Sequence, residues 1–514
     1  MADRPDAPAP APSARRSSAL VGGGILLSRL AGLARERVIA THLGTGFAVD
    51  AFRAAVRIPN LLQNLLGEGV LSASFIPVYA RLLAEGDEEG AGRVAGAVAG
   101  LLAAVAGGLV VVGVVFARPI TVVLAAGYTG ERFELTVTLV RILTPGIGAL
   151  VLSAWCLGVL NSHRRFFLSY VAPVLWNVAQ IAVLVAAATR GLSQSSLAVA
   201  LAWGALAGGF LQLGVQLPAV RSLVRPLRLS LSVRRPGVPE VLRRFGPAVT
   251  GRGVVQLSAY LDLLLASFLA VGAVAALTYA MVFYLLPISL FGMSVAAAEL
   301  PELSRLQAQA AGADIDAATN RVQDGLGRVA FFVVPAAVGY VVLGDFVVAA
   351  LLQSGRFGPE DTRLVWYVLG AFSLGLVATT ASRVLQSCFY AVGEVATPAK
   401  VAAVRVAVTA VVGVVVMLQL DRVAITGPGL AGLDLVGDLP AWSPLPAELR
   451  SAGGPLRLGA MGLALAASVG AWVELALLRR RLPVPAAKVR LGGGHLGRTL
   501  AAGAAAAGAA LAAR

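Results

Sequence analysis

Long apolar runs broken by short polar stretches set the pattern of this chain of 514 residues. A helix that crosses about 30 Å of hydrocarbon needs about 20 predominantly apolar residues. On that measure the sequence predicts about thirteen transmembrane helices. They fall near residues 18–43, 48–81, 92–117, 134–160, 166–188, 195–220, 246–270, 273–300, 324–352, 362–391, 399–420, 455–478 and 495–513. The alternating period of membrane barrel strands is not seen. The expected fold class is therefore an all-α polytopic membrane protein. Composition agrees, with 58% hydrophobic and only 13% charged residues. Soluble globular chains carry about 25% charged residues.

The net charge of +15 would suit nucleic acid, but its location excludes that reading. Arginines concentrate in short loops between predicted spans: Arg164 and Arg165, then Arg221 to Arg244, then Arg479 to Arg490. Loops on the other side, such as 189–196 and 421–450, are weakly or evenly charged. Basic loops stay on the cytoplasmic face, so the N-terminus is expected there. Residues 1–17 are rich in Pro, Ala and Arg and read as a disordered cytoplasmic tail. The expected division is a first six-helix bundle at 18–220, a basic cytoplasmic loop at 221–245, a second bundle with a periplasmic loop over 246–453, and two last helices within 454–514.

Candidate chemistry lies in charges placed at membrane depth. Arg29, Arg35, Asp50, Arg57 and Glu68 all sit in the first two predicted spans. Intramembrane charges are costly and tend to face a polar cavity, so this group suggests a path for a charged substrate. Arg29 and Arg35 are six residues apart, or about 120° in helical projection, and can border one cavity at different heights. Asp50 suits an N-cap as well as a ligand role, and Arg53 reads as a flank. Pro59, Gly67 and Gly69 in the second span, and Pro287 in the eighth, are hinge candidates. Proline-interrupted spans recurring in two halves point to a transporter with a central site. Cys156 and Cys388 read as buried thiols, and His42, His163 and His495 as isolated loop or interface residues. No hydrolase constellation or nucleotide loop is present. The chain is thus not expected to be an enzyme, nor to hold a metal or an organic cofactor.

Several stretches carry a resemblance. They include S-R-L-A-G-L-A-R-E-R from Ser28, R-I-P-N-L-L from Arg57 and G-E-G from Gly67. H-R-R-F follows at His163, Q-L-P at Gln216, F-G-P at Phe245, L-P-I-S-L-F-G-M-S at Leu286 and L-P-E-L-S at Leu300. L-L-Q-S-G-R-F at Leu351 and F-Y-A-V-G-E-V-A-T-P at Phe389 complete the set. In this order they resemble the MurJ/MviN lipid II flippase family of the multidrug/oligosaccharidyl-lipid/polysaccharide exporter superfamily. The resemblance implies two pseudo-symmetric six-helix bundles around a central cavity, followed by C-terminal helices. The implied cargo is lipid II or a similar undecaprenyl-pyrophosphate glycolipid, flipped to the periplasmic leaflet by alternating access. Membrane lipids and cell-wall synthesis proteins are the other implied partners.

Residue by residue, the resemblance implies substrate binding by Arg29, Arg35, Asp50, Arg57, Asn60 and Glu68. Arg suits the pyrophosphate because its guanidinium stays charged and presents a planar fork of donors. Asp262 matches an acidic position that some members use for sodium. The coupling source is left as Na+, H+ or the membrane potential, with Arg405 and Glu299 as further coupling candidates. Four departures stand against the family pattern. Gln63 and Asn64 replace basic residues, Val282 replaces an arginine, Gly413 replaces an asparagine, and only thirteen spans are predicted up to Arg514 where the family has fourteen, so the last helix is either lost or cut off by truncation of the sequence. Two alternatives stay open: an exporter of another polyprenyl-linked glycan, and a non-transporting membrane scaffold.

Overall fold

The computed structural model describes residues 12–225, 227–292, 315–427, 432–450, 454–482 and 508. Every predicted apolar run within those residues is helical. The run at 495–513 apart from residue 508, the L-P-E-L-S stretch and Glu299 lie outside the described residues. In chain order the helices are α1 (Pro12–Leu43), α2 (Phe47–Leu66), α3 (Glu68–Ala84), α4 (Glu88–Val115), α5 (Ala117–Leu124), α6 (Gly130–Leu143), α7 (Gly146–Ser162) and α8 (Phe166–Ala188). They continue with α9 (Gln194–Leu223), α10 (Val238–Ser267), α11 (Ala273–Pro287), α12 (Ile315–Leu352), α13 (Pro359–Ser373), α14 (Leu376–Ala391), α15 (Ala396–Leu420) and α16 (Gly459–Arg480). Helix α1 begins at Pro12, so the end of the stretch read as a tail is helical.

Three predicted spans are each broken in two. Gly67 separates α2 from α3, α6 meets α7 at 42°, and α13 meets α14 at 41°. Among the described residues, eight helical segments are long and apolar enough to cross a membrane, or ten with the two bent pairs. Hydrophobic length predicts a span but not a break within it. At the break Gly67 leaves the helical dihedrals, with φ −95 and ψ −147, while its amide still donates to Gln63 O at 2.7 Å. A Cβ there would collide with that carbonyl.

One unit comprises Met1–His42, Ala54–Leu124 and Gly130–Tyr260. Within it, α7 packs on α3, α4 and α9, and α8 runs along α9. Small residues let the backbones approach, as expected where lipid offers no hydrophobic contrast between helices. A Cβ on Gly208 of α9 would come within 2.9 Å of the Trp176 main chain of α8. Gly96 and Gly100 of α4 likewise admit the extended segment after α9, and Ser230 N donates to Gly96 O at 3.3 Å. Polar side chains add specific ties. Ser153 of α7 donates to Gln216 at 2.6 Å and accepts from Gln212 at 2.8 Å, both on α9. Tyr79 OH and His163 Nε2 lie 2.8 Å apart. Burial lowers the His163 pKa despite the nearby Glu88.

The other unit comprises Leu43–Arg53, Ala125–Thr129 and Leu261–Arg514. Here α16 packs on α11, α13, α14 and α15, and α12 lies against α13 and α14. Gly413 of α15 is fully packed, with Leu463 and Ala466 of α16 and Leu265 of α10 around its Cα. Gly462 and Gly470 give α16 the same close approach to Met417 and Thr409 of α15. A partly buried ion pair crosses this contact: Arg405 Nη1 to the buried Glu474 Oε2, 2.7 Å. Gln386 of α14 donates to the second Glu474 oxygen at 3.0 Å. Between α15 and α16, β1 (Val423–Ile425) and β2 (Leu433–Leu435) form an antiparallel hairpin pairing Ala424 with Asp434. Strands in that loop were not predicted, because three-residue segments carry no usable period.

Two predictions test these contacts. Glu474→Ala removes the carboxylate that serves the half-exposed Arg405 guanidinium and Gln386, and is expected to cost about 1–3 kcal/mol. The double change Arg405→Met with Glu474→Leu should recover most of the loss in thermal unfolding of purified protein. The second concerns Asp421, which follows α15 and is 2% exposed. Burial raises its carboxyl to about 6 although Arg457, Arg450 and Arg422 are nearby. A raised folded-state pKa means the native state holds the proton more tightly than the unfolded chain does. Stability from this group is therefore complete below the unfolded value of 3.8 and is lost as pH rises through about 6. Asp421→Asn should flatten the fall in apparent melting temperature between those two values.

Candidate functional site

Polar residues of α2 and α10 enclose a cavity of about 240 Å³ in the first unit. Its lining is Arg57, Asn60, Leu61, Gln63 and Asn64 from α2, with Gln256 and Tyr260 from α10. Spacing explains the two walls. Arg57, Asn60, Leu61 and Asn64 follow the three- and four-residue steps of one helical face, and Gln256 and Tyr260 are one turn apart. Pro59 lies inside α2, and Gly67 ends the helix just beyond Asn64. Asn64 Nδ2 donates to Gln256 Oε1 at 3.4 Å. The cavity thus presents one guanidinium, four carboxamides and a phenol. Such a lining can take an anionic group through Arg57 and hydroxyl or amide groups through the carboxamides, which both donate and accept.

The predicted site residues do not all converge on this cavity. Arg57 and Asn60 line it. Arg29 is exposed on α1. Arg35, about one and two-thirds turns further along, is mostly buried. It donates to Glu36 at 2.6 Å, and its guanidinium stands 4.9 Å from the Trp176 ring centroid. Glu68 is exposed at the first position of α3, where a carboxylate favours the positive end of the helix. Gly69 follows it in α3.

Asp50 has a different setting, within the second unit. It is fully buried, and its carboxylate accepts from Gly272 N and Ala275 N, both at 2.8 Å. These are the first amides of α11, whose N-cap Gly272 has φ +95. Asp50 therefore caps a helix, but a distant one rather than its own. The same short segment is tied by Tyr279 OH donating to Gly44 O at 3.2 Å and Thr45 donating to Asp361. Arg53, read as a flank, is instead 6% exposed with its guanidinium 5.4 Å from the Tyr279 ring centroid.

Pro287 ends α11 and is followed by a π turn at Ile288–Gly292. Proline lacks the N–H that would reach the carbonyl four residues back. That carbonyl, Phe283 O, accepts from Tyr340 OH at 2.9 Å. Val282 is half-buried on the same helix. Asp262 is half-buried on α10. Among the described residues there is no group of three or more His, Cys, Asp or Glu side chains that could hold a metal ion. Arg405 is engaged by Glu474.

Sequence reasoning missed Gln256 and Tyr260 as lining residues, and took Gln63 and Asn64 only as departures. The available signal was Gln256 and Tyr260 four residues apart, on one helical face of a predicted span. The resemblance motifs mostly mark chain geometry. H-R-R-F forms the turn from α7 to α8, with Arg164 at φ 58. L-L-Q-S-G-R-F turns α12 into α13, and Phe357 packs edge-on to Tyr279 with centroids 5.5 Å apart.

Broken apolar helices, paired intramembrane charges and a polar cavity define a multi-pass membrane protein of the transporter type. Its fold matches a solved structure of lipid II flippase MurJ in an inward closed conformation, with a TM-score of 0.72 at 21% identity. That match covers 94% of this chain and 92% of the other. An inward-facing multidrug resistance MATE family transporter matches with a TM-score of 0.65 at 17% identity, over 88% and 94%. Residues 39–431 match the family profile described as MurJ, lipid II flippase MurJ. A probable lipid II flippase MurJ of Rhizobium tropici is 35% identical over 400 residues, 77% of this chain and 74% of the relative. The lipid II flippase MurJ of Burkholderia cenocepacia is 34% identical over 431 residues, 82% and 80% respectively. The chain belongs to the MurJ family.

The capping role of Asp50 is testable. Asp50→Ala should lower stability by about 2 kcal/mol, because two buried amides lose their acceptor. Asp50→Asn retains one acceptor oxygen and should cost about half as much. Thermal unfolding of the two purified variants distinguishes them.

Proposed function

We propose that this chain flips lipid II from the cytoplasmic to the periplasmic leaflet by alternating access, without covalent chemistry. The observation that carries the reading is the Arg57 cavity, on the helix that also holds the R-I-P-N element, in a chain of the MurJ family. Relatives in that family carry the name lipid II flippase. The comparisons lend no support to an exporter of another glycan or to a non-transporting scaffold.

In this reading Arg57 meets the pyrophosphate, with Arg29 and Arg35 on α1 providing further cationic contacts. Arg57 lines the cavity itself, whereas Arg35 lies against Glu36 and the Trp176 ring. Gln63 and Asn64 leave the cavity less cationic than the family pattern would. Pro59, Gly67, Gly69 and Pro287 serve as bending points for the rocking of helices. An inside-negative potential favours outward movement of an anionic headgroup by about 2.3 kcal/mol per charge per 100 mV. Asp262 is the candidate for cation coupling. In this reading the protein sits in a bacterial inner membrane with its N-terminus in the cytoplasm, which the arginine-rich loops support through the positive-inside rule.

The experiment is complementation of bacteria depleted of their own lipid II flippase, scored by lipid II exposed on the periplasmic face. Wild-type protein should restore exposure. Arg57→Ala should reduce it at least tenfold at unchanged membrane abundance, whereas Arg93→Ala, on the exposed end of α4, should not. Failure of the wild type when inserted and abundant would refute lipid II as cargo.

A further inference from the structure

We propose that the loop between α15 and α16 carries a bilayer-interface anchor, formed by Leu439 and Trp442, that seats in the lipid headgroup region. Trp442 is 74% exposed and Leu439 is 50% exposed. An indole that exposed is costly in water and suited to the membrane interface, where its ring meets acyl chains and its N–H meets water.

Two independent observations set the height and direction of this edge. The first is a clamp on the last turn of α15. Gln419 Nε2 donates to Ala441 O at 2.7 Å, and Ala441 N donates back to Gln419 Oε1 at 2.8 Å. Arg422 adds a bond to Ser443 O at 3.3 Å, and Val436 N donates to Arg422 O at 2.8 Å. Trp442 is thus held between two clamped residues at the level where a membrane-spanning helix ends. It is not at the tip of a loop reaching into water.

The second observation is the face of α15 beneath it. Val404, Val411 and Val415 are 44%, 68% and 41% exposed. At 100° per residue they fall within about 40° of one another and form one apolar stripe. In a spanning helix an exposed apolar stripe faces lipid. Continuing the same rotation, Gln419 in the last turn lies about 40° from Val415. The loop is therefore clamped directly above the lipid-facing stripe, and its exposed apolar edge meets the bilayer surface there. This inference needs α15 to span the membrane and does not depend on the cargo.

The test uses the full-length chain carrying Trp442→Cys. Cys156 and Cys388 are 0% and 4% exposed, so a nitroxide reagent will label position 442 selectively. The protein is placed in liposomes of phosphatidylethanolamine and phosphatidylglycerol. The label should collide severalfold more often with membrane-dissolved oxygen than with a water-soluble nickel chelate. Equal or greater collision with the chelate would overturn the anchor. As a measurement that needs no cysteine variant, lipids brominated near the headgroup should quench wild-type tryptophan emission more than that of Trp442→Phe. Equal quenching would likewise overturn it. A label open to water in liposomes but protected in native membranes would assign the edge to a protein partner instead.

Discussion

The first turn of α11 presents backbone N–H groups that have no helical partner, and the chain around it is fully buried. The Asp50 carboxylate accepts two of them at 2.8 Å each. This contact shows the constraint on which the rest of the structure depends. Apolar surroundings supply no water, so each polar group taken inside must find its partner within the protein. The same demand places Tyr340 on the carbonyl freed by Pro287, sets Glu474 against Arg405 and Gln386, and links Ser153 to Gln212 and Gln216.

Glycine makes these meetings possible. Side-chain hydrogen bonds between helices require backbones close enough for short side chains to reach. Gly204 and Gly208 bring α9 onto α8, and Gly413, Gly462 and Gly470 bring α15 onto α16. Gly67 acts differently, by ending α2 where a side chain would strike Gln63 O. The helix carrying Arg57, Asn60 and Asn64 stops there, one turn beyond the cavity they line. Proline contributes by removing donors, and the π turn after Pro287 absorbs the mismatch without leaving Phe283 O bare.

The site was partly legible. Arg57 and Asn60 stood out because a charge and an amide in an apolar run need a polar surrounding, and they do share one. Gln256 and Tyr260 did not stand out, because nothing local distinguishes a carboxamide facing a cavity from one facing a neighbouring helix. Arg53 shows the converse. Its position near a predicted span end suggested a solvated flank, yet it lies buried over Tyr279, more than two hundred residues later in the chain.

The sequence alone determined the all-α membrane class, the positions of the spans and the family. These rest on local quantities: apolar length, loop charge, and ordered short motifs. Only the tertiary structure decided where spans break, which residues line the cavity, and that Asp50 caps α11 rather than α2. It also decided that the loop after α15 contains a hairpin and holds Trp442 at the end of a span. Each of these depends on which backbone approaches which. That is settled by glycine contacts and hydrogen bonds between residues far apart in sequence, and a one-dimensional pattern does not record it.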